Sequence, residues 1–268
     1  MPLPQSLKLL TVVLISAVAG VMNAIAGGGT LLTFPALVGL GIPAIVANAT
    51  STVALWPGSV SSMVGYREQL VGARRWAMGF ALPSLMGGAV GAWLLLRTPP
   101  DRFAELVPWL VLGATALFVV QPPLMGRVRQ RRARAGLVTE TTSDEVLTER
   151  LPAAGVLVAQ FCLGVYGGYF GAGVGILMLA VLGFMGLSNI HRMNGLKNWG
   201  GLCMNAVAAL MFAFSSLVSW PVALSMAIGS IGGGYFGSRA AQRVPKQFIR
   251  AAVIGIGLAG GIWLLRAR

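Results

Sequence analysis

The sequence predicts an all-α polytopic membrane protein built from two related halves. Of its 268 residues, 56% are hydrophobic and only 10% are charged, against roughly 25% charged residues in soluble domains. Several apolar stretches are about 18–23 residues long, enough for a helix to cross a hydrocarbon core of about 30 Å. This composition excludes a soluble enzyme and a disordered chain, and two cysteines cannot form a secreted disulfide scaffold.

Ten apolar stretches follow one another along the chain, and each predicts a helix. They cover residues 7–26, 30–40, 43–65, 76–96, 104–121, 153–171, 174–186, 198–216, 221–238 and 247–265. Two of them, 30–40 and 174–186, are short. Each short stretch begins at a cluster of glycines, at 27–29 in the first half and at 171–175 in the second.

The two halves repeat with an offset of 144 to 146 residues, which indicates an internal duplication. The matched pairs are Gly20 and Gly164, Gly27 and Gly171, Gly29 and Gly173, Asn48 and Asn194, Ser84 and Ser230, Gly88 and Gly234, and Gly91 and Gly237. The sequence therefore predicts a first membrane repeat at 1–121, a charged cytoplasmic linker at 122–152 and a second membrane repeat at 153–268.

The positive charges favour inverted repeats. If the short segments cross the membrane, each half has five crossings, and the loops 66–75, 122–152, 187–197 and 239–250 share one side. Those loops hold 15 of the 20 Lys and Arg residues, and such loops usually face the cytoplasm. Both termini would then lie outside. If the short segments do not cross, the chain has eight crossings and the basic loops fall on both sides.

The short segments predict two broken helices near the middle of the membrane. An 11-residue helix rises only about 16 Å, and irregular backbone at membrane depth is tolerated where it lines a cavity. A helix that begins after a glycine cluster offers free N–H groups and a positive dipole end to an anion. Thr30 is placed to act as an N-cap or as a direct ligand. The alternative is that the glycines only permit close helix packing.

The helix after each short segment carries a polar stripe. In the first half the stripe contains Asn48, Ser51, Thr52, Ser59 and Ser62, and in the second half it contains Asn194, Lys197, Asn198 and Asn205. Polar groups inside a membrane usually face the interior of the bundle and often mark a pathway. Hydrogen bonding between helices is the alternative for such residues.

Lys197 is the one cation that could lie well inside a span, where it would add charge to an anion site. Its alternative is to reach the membrane interface with its long side chain. It is also the strongest candidate for a titrating group, with His191 second, although a short loop is the expected place of His191. The predicted substrate-binding residues are Asn23, Gly28, Gly29, Thr30, Asn48, Ser51, Thr52, Ala172, Gly173, Val174, Asn194, Lys197 and Asn198.

Several residue types are missing from the predicted spans. No Asp or Glu lies within a confident span, so the usual carboxylate proton relay and carboxylate cation site have no candidates. One His and two Cys cannot form a recognisable metal or catalytic cluster. The sequence thus predicts no enzyme, no cofactor and no metal. The net charge of +13 lies mostly in loops, which predicts no nucleic-acid partner.

Two runs of the sequence resemble the TauE/SafE family of bacterial membrane permeases, also called the toluene sulfonate uptake family. The first run is Asn23-Ala24-Ile25-Ala26-Gly27-Gly28-Gly29-Thr30, followed by Pro35 and by Ala47-Asn48. The second is Gly-Gly-Tyr-Phe-Gly-Ala-Gly-Val-Gly at 167–175. The resemblance covers nearly the whole chain, and it implies secondary transport of small sulfur anions such as sulfite, sulfoacetate or other sulfonates.

Together these observations predict a multi-pass secondary transporter of the bacterial inner membrane that moves small sulfur-containing anions by alternating access. The broken-helix N-termini would hold the anion, and Asn48, Asn194 and Asn198 would donate hydrogen bonds to it. An anion channel and a non-transporting accessory subunit are the alternatives. The predicted partners are the anionic substrate and the lipid bilayer, with protons as a candidate co-substrate and a second copy as a candidate homodimer partner.

Overall fold

The computed structural model describes residues 5–134, 152–185, 187, 189–240 and 246–266, and all regular structure in those residues is helical. The first half contains α1 (Gln5–Ile25), α2 (Thr30–Gly39), α3 (Ala44–Tyr66), a short 3-10 helix (Arg67–Leu70), α4 (Arg74–Arg97) and α5 (Pro100–Arg134). The second half contains α6 (Ala154–Tyr169), α7 (Val174–Phe184), α8 (Ile190–Ala213), α9 (Trp220–Ala240) and α10 (Lys246–Arg266).

Every predicted apolar stretch corresponds to one helix, and two helices extend well beyond their stretch. Helix α5 continues to Arg134, so the first part of the predicted linker is helical, while residues 135–151 lie outside the described part of the chain. Helix α8 begins at Ile190 rather than near 198. The expectation that His191 lies in a loop is therefore wrong, because it lies in the first turn of α8.

The outer surface of the helices is apolar, as a lipid-facing surface requires. Large side chains such as Leu14, Leu82 and Ile228 are exposed, and few soluble monomers expose so many of them together.

In the described part of the chain, Leu7–Ile25 and Arg74–Arg97 are long and apolar enough to cross a membrane by length and composition. The apolar helices α2, α6 and α7 are shorter, with 10, 16 and 11 residues.

The contacts between the two halves come in matched pairs. Helix α1 packs on α9 and α6 packs on α4; α3 packs on α9 and α8 packs on α4; α2 packs on α10 and α7 packs on α5. Helices α1 to α5 of the first half correspond in order to α6 to α10 of the second. Replacing each helix by its counterpart therefore turns the first contact of each pair into the second. Helix α3 also packs on its own counterpart, α8.

Individual residues repeat this exchange at the offset of 146. A Cβ atom on Gly88 would collide with the carbonyl oxygen of Met204, and one on Gly234 would collide with that of Gly58. Met204 is itself the counterpart of Gly58. At the α3–α8 contact, the indole Nε1 of Trp56 donates to the carbonyl oxygen of its own counterpart, Leu202, at 3.3 Å. The contacts between the halves are therefore exchanged in pairs, as an approximate twofold axis passing between α3 and α8 would exchange them.

Replacing Gly234 by alanine is expected to destabilise the protein, because its Cβ would collide with backbone atoms of Gly58. Overpacking of this kind costs about 1–3 kcal/mol. The matched control is Gly232→Ala in the same helix, where a Cβ meets nothing within 4 Å. Thermal unfolding in detergent should show a lower melting temperature for Gly234→Ala only; equal melting temperatures would contradict the close packing of α9 on α3.

The structure also corrects the assignment of one basic residue. The count of basic loop residues placed Lys197 in the loop 187–197, but its side chain is buried within α8, with 2% of its surface exposed. Lys197 is therefore not a loop charge, and its side chain does not extend to the surface of the protein. Without Lys197, the basic loops hold 14 of the 20 Lys and Arg residues and the other six lie elsewhere, so most of the positive charge still lies in these loops.

Candidate functional site

The first half of the site is the passage from α1 to α2. Gly27 has a positive φ of 80°, a conformation that glycine adopts without steric cost, and α2 begins at Thr30. Gly29 is the N-cap of α2 and no side chain caps it, so the N-cap role predicted for Thr30 is wrong. The backbone N–H of Gly29 donates to Oδ1 of Asn23 at 2.8 Å. Asn23 thus ties the start of α2 to the end of α1.

The second half of the site is the passage from α6 to α7. Gly171 and Gly173 have φ values of 76° and 73°, and Gly173 is the N-cap of α7. The hydroxyl group of Tyr166 donates to the carbonyl oxygen of Ala172 at 2.7 Å. This bond fixes the loop between the two left-handed glycines.

The two passages touch through backbone atoms. A Cβ on Gly27 would lie 2.6 Å from the Cα of Gly175, and a Cβ on Gly175 would lie 2.7 Å from the Cα of Gly27. The starts of α2 and α7 approach this closely because no side chain separates these two residues. The glycine clusters therefore do permit close packing, the alternative to an open anion cradle.

A cavity of about 60 Å³ lies beside this contact, which is room for roughly four to six water molecules at about 10–15 Å³ each. Residues from both halves line it. They are Asn23, Gly27, Thr30, Thr52, Leu55, Trp56, Ser59, Phe170, Gly171, Val174, Gly175, Met178, Lys197, Asn198, Gly201 and Asn205.

Most of the lining residues have their counterpart in the lining as well. The matched pairs are Gly27 and Gly171, Thr30 and Val174, Thr52 and Asn198, Leu55 and Gly201, and Ser59 and Asn205. Residues that an approximate twofold axis exchanges can all line one cavity only if the cavity lies on that axis. The cavity is therefore centred between the two halves.

Lys197 supplies the only charge among the described residues that line the cavity, since no Asp or Glu is among them. Its Nζ donates to the carbonyl oxygens of Asn23 at 3.1 Å and Ala24 at 3.2 Å. Both carbonyls belong to the last turn of α1, the negative end of the helix dipole. The ammonium group thus lies between a helix end that it neutralises and a cavity that it makes electropositive.

The carbonyl oxygen of Ala24 accepts two further side-chain hydrogen bonds. Asn198 donates to it through Nδ2 at 3.3 Å, and the Tyr66 hydroxyl donates to it at 3.2 Å. With Lys197, three donors from α3 and α8 converge on the last turn of α1. A carbonyl left unpaired at a helix end needs such partners when it is buried.

The structure brings part of the predicted site together around the cavity. Six of the predicted residues line it, namely Asn23, Thr30, Thr52, Val174, Lys197 and Asn198. The other seven do not line it: Gly28, Gly29, Asn48, Ser51, Ala172, Gly173 and Asn194. Gly28, Gly29, Ala172 and Gly173 are buried in the two passages, where they shape the backbone beside the cavity.

The two matched asparagines lie one helical turn from the cavity lining. Asn48 is fully buried, and its Nδ2 donates to the carbonyl oxygen of Tyr169 at 2.9 Å. The amide nitrogen of Asn48, which was predicted to donate to the anion, thus donates to the protein backbone instead. The Oδ1 atoms of Asn48 and Asn194 are buried, and neither has a hydrogen-bond partner in the described part of the chain. Ser51 is also occupied, since its hydroxyl pairs with that of Thr33 at 2.6 Å.

Several lining residues were not predicted as site residues. Trp56, Phe170 and Met178 are apolar and gave no polar signal in the sequence. Ser59 and Asn205 belong to the predicted polar stripes but not to the predicted substrate-binding residues. The offset of 146 was the available signal, because it pairs Ser59 with Asn205 and Leu55 with Gly201.

A chain whose described residues form only helices, with an apolar surface and a polar cavity between two similar halves, has the features of a membrane transport protein. A family model described as "Sulfite exporter TauE/SafE" matches residues 12–264. The chain belongs to this family, which is a family of membrane transporters.

Curated relatives carry names of the same kind. The chain is 28% identical over 248 residues to the probable membrane transporter protein YfcA of Escherichia coli (strain K12), covering 90% of this chain and 83% of the relative. It is 27% identical over 238 residues to a probable membrane transporter protein of Haemophilus influenzae, covering 88% and 86%. It is 28% identical over 253 residues to the probable membrane transporter protein ORF9 of Sinorhizobium sp, covering 92% and 88%. No solved structure matches the chain.

Proposed function

We propose that this protein is a secondary transporter that carries small sulfur-containing anions, of the sulfite or sulfonate class, across the bacterial inner membrane. The observation that carries the proposal is the cavity on the axis between the halves. Its lining holds one lysine, no carboxylate among the described residues, and several neutral hydrogen-bond donors. A cation and neutral donors in a site of low dielectric favour an anion over a cation.

The donors around the cavity suit an oxyanion. Thr30, Thr52 and Ser59 carry hydroxyl groups, and Asn198 and Asn205 carry amide groups that donate through nitrogen. Sulfite and the sulfonates each carry three oxygen atoms on one sulfur. Several donors around one ammonium group can bind such a head group from different directions, while Phe170 and Met178 provide apolar contact for an organic substituent.

The transport mechanism that we propose is alternating access between two inverted repeats. The matched contacts of the two halves support related repeats, and five helices per half make the repeats inverted if each helix crosses. Helices α2 and α7, with 10 and 11 residues, would then be the halves of broken helices that meet near the middle of the membrane. Transporters with inverted repeats place their substrate at that interface.

Flux measurements on the purified protein test this function. Proteoliposomes would be loaded with labelled sulfite, a sulfonate or thiosulfate, with and without an imposed proton gradient, and compared with protein-free liposomes. We expect saturable flux of at least one of these anions. Flux that rises linearly with concentration would favour an anion channel. No flux of any of them would favour an accessory subunit.

The proposed topology places both termini in the periplasm and the linker 122–152 in the cytoplasm. This follows from the excess of basic residues in the loops on one side of a ten-crossing chain. A reporter that is active only in the cytoplasm should be inactive when fused after Arg268 and active when inserted in the linker. Cytoplasmic activity of the fusion after Arg268 would instead require an even number of crossings per half.

A further inference from the structure

We propose that Lys197 is an anion-operated latch, whose ammonium group holds the last turn of α1 against α8 in the empty protein and releases it when a substrate anion enters the cavity. The inference rests on the proposed function and adds to it how the site is coupled to helix movement. It follows from a comparison of two junctions, α8 with α1 and α3 with α6, that the approximate twofold axis exchanges.

At the first junction the end of α1 is held by two side chains of α8 and by one side chain of α3. Lys197 donates to the carbonyl oxygens of Asn23 and Ala24. Asn198 and Tyr66 donate to that of Ala24. One of these three donors is an ammonium group, and hydrogen bonds to a charged group contribute more than bonds between neutral groups. The negative end of the α1 dipole adds to this attraction.

The second junction lacks all three of these bonds. The counterparts of Lys197, Asn198 and Tyr66 at an offset of 146 are Ser51, Thr52 and Phe212. The Ser51 hydroxyl pairs with Thr33, and the Thr52 hydroxyl donates to the carbonyl oxygen of Asn48 in its own helix at 3.0 Å. Phe212 has no hydroxyl group.

In the described part of the chain, the end of α6 therefore receives one side-chain hydrogen bond from α3, in which the neutral amide of Asn48 donates to the carbonyl oxygen of Tyr169. The two junctions join counterpart helices but differ in their polar contacts. The α8–α1 junction is the tighter of the two in the empty protein.

The position of Lys197 couples this difference to the cavity. Its side chain lines the cavity while its Nζ contacts the α1 carbonyls, so an anion in the cavity competes directly with those carbonyls. A full negative charge attracts the ammonium more strongly than two carbonyl oxygens do. Once Lys197 turns to the anion, two neutral donors remain on Ala24. The first junction then becomes similar in strength to the second.

Backbone amides at matched positions report each junction separately. The N–H groups of Ala26 and Gly27 both donate to the carbonyl oxygen of Met22, at 2.8 and 3.0 Å. Their counterparts, the N–H groups of Phe170 and Gly171, both donate to that of Tyr166, at 2.9 and 3.1 Å. Hydrogen–deuterium exchange of the full chain in lipid nanodiscs, followed by mass spectrometry, measures opening at 26–27 and at 170–171 in the same sample.

Three of the variants introduce the residue that the other half carries at the matched position. Lys197→Ser, Asn198→Thr and Tyr66→Phe each remove one donor of the first junction, and Lys197→Met removes the charge while keeping side-chain volume. Lys8→Met is the control for loss of a positive charge elsewhere on α1. Sodium sulfite is the probe anion.

Without any anion, Lys197→Met and Lys197→Ser should accelerate exchange at 26–27 by at least tenfold and leave 170–171 unchanged. Lys8→Met should change neither segment. Saturating sulfite should accelerate exchange at 26–27 in the wild-type protein and add nothing in Lys197→Met. Unchanged exchange at 26–27 in both Lys197 variants overturns the latch, and so does acceleration by sulfite that persists in Lys197→Met.

Equilibrium binding of labelled sulfite to the wild-type protein separates this test from that of the proposed function. Failure of sulfite, the sulfonates and thiosulfate to bind overturns the proposed substrate class and with it the anion-operated release. The measurement without anion still decides whether Lys197 holds the α8–α1 junction closed.

Discussion

Replacing Lys197 by methionine should weaken the binding of sulfite by roughly 10- to 150-fold. Methionine keeps a similar side-chain volume but removes the only charge among the described lining residues of the cavity. A hydrogen bond to a charged group contributes about 1.5–3 kcal/mol, and each 1.4 kcal/mol corresponds to about a tenfold change in affinity. Equilibrium binding of labelled sulfite to the purified protein in detergent measures the loss.

Two further substitutions make this result specific. Lys8→Met removes a positive charge from the other end of α1 and should leave sulfite affinity unchanged. Lys197→Arg keeps the charge but replaces a compact ammonium by a planar fork, which cannot occupy the same position between the cavity and two carbonyl oxygens, so its affinity should also fall. If Lys197→Met bound sulfite with wild-type affinity, Lys197 would not be part of the anion site.

A second large effect is expected at the contact between the two glycine passages. Gly175→Ala would place a Cβ atom 2.7 Å from the Cα of Gly27 and 3.2 Å from Cδ of Lys197. Gly27 cannot yield easily, because its φ of 80° fixes the turn between α1 and α2. Overpacking costs about 1–3 kcal/mol. If this cost destabilises the conformation in which the two passages touch, sulfite flux should fall by roughly 5- to 150-fold, at about 1.4 kcal/mol per tenfold change.

The chain offers a matched control in the same cavity. Gly201 also lines the cavity, but a Cβ at this position meets nothing within 4 Å. Gly201→Ala should therefore retain most of the flux. Flux in proteoliposomes, normalised to the amount of folded protein inserted, separates loss of transport from loss of folding. Equal flux in the two variants would show that the Gly27–Gly175 contact can relax without consequence.

Hydropathy predicts the helices of this protein well, because apolar length decides which segments can enter a membrane. For example, the stretch 30–40 predicts α2, which the structure gives as Thr30–Gly39. The prediction for α8 begins near residue 198, although the helix begins at Ile190, and this difference has a physical reason. Asn194 and Lys197 lower the hydropathy of its first turns, but both side chains are buried, and Lys197 bonds the end of α1. Such compensation depends on a contact between residues 173 and 174 positions apart.

The site is harder to predict than the helices. The spacing of residues along a helix shows which face they share, but it does not show which of them reach the cavity. The polar stripe of α3 contains Asn48, Thr52 and Ser59, yet only the last two reach the cavity. Asn48 is one turn away and bonds Tyr169. The identity of that partner follows from packing between the halves. The comparison of the two halves was more informative than either stripe alone.

The buried charge of Lys197 also has a consequence for the membrane potential. The dipole of α1 carries no net charge, so under the proposed alternating access the reorientation of the empty site would carry the positive charge of Lys197 through part of the transmembrane field. Moving one full charge through that field is worth about 2.3 kcal/mol per 100 mV. A bound monovalent anion cancels the charge of the ammonium group. The return of the empty protein, and not the passage of a monovalent substrate, is therefore the step that voltage should drive.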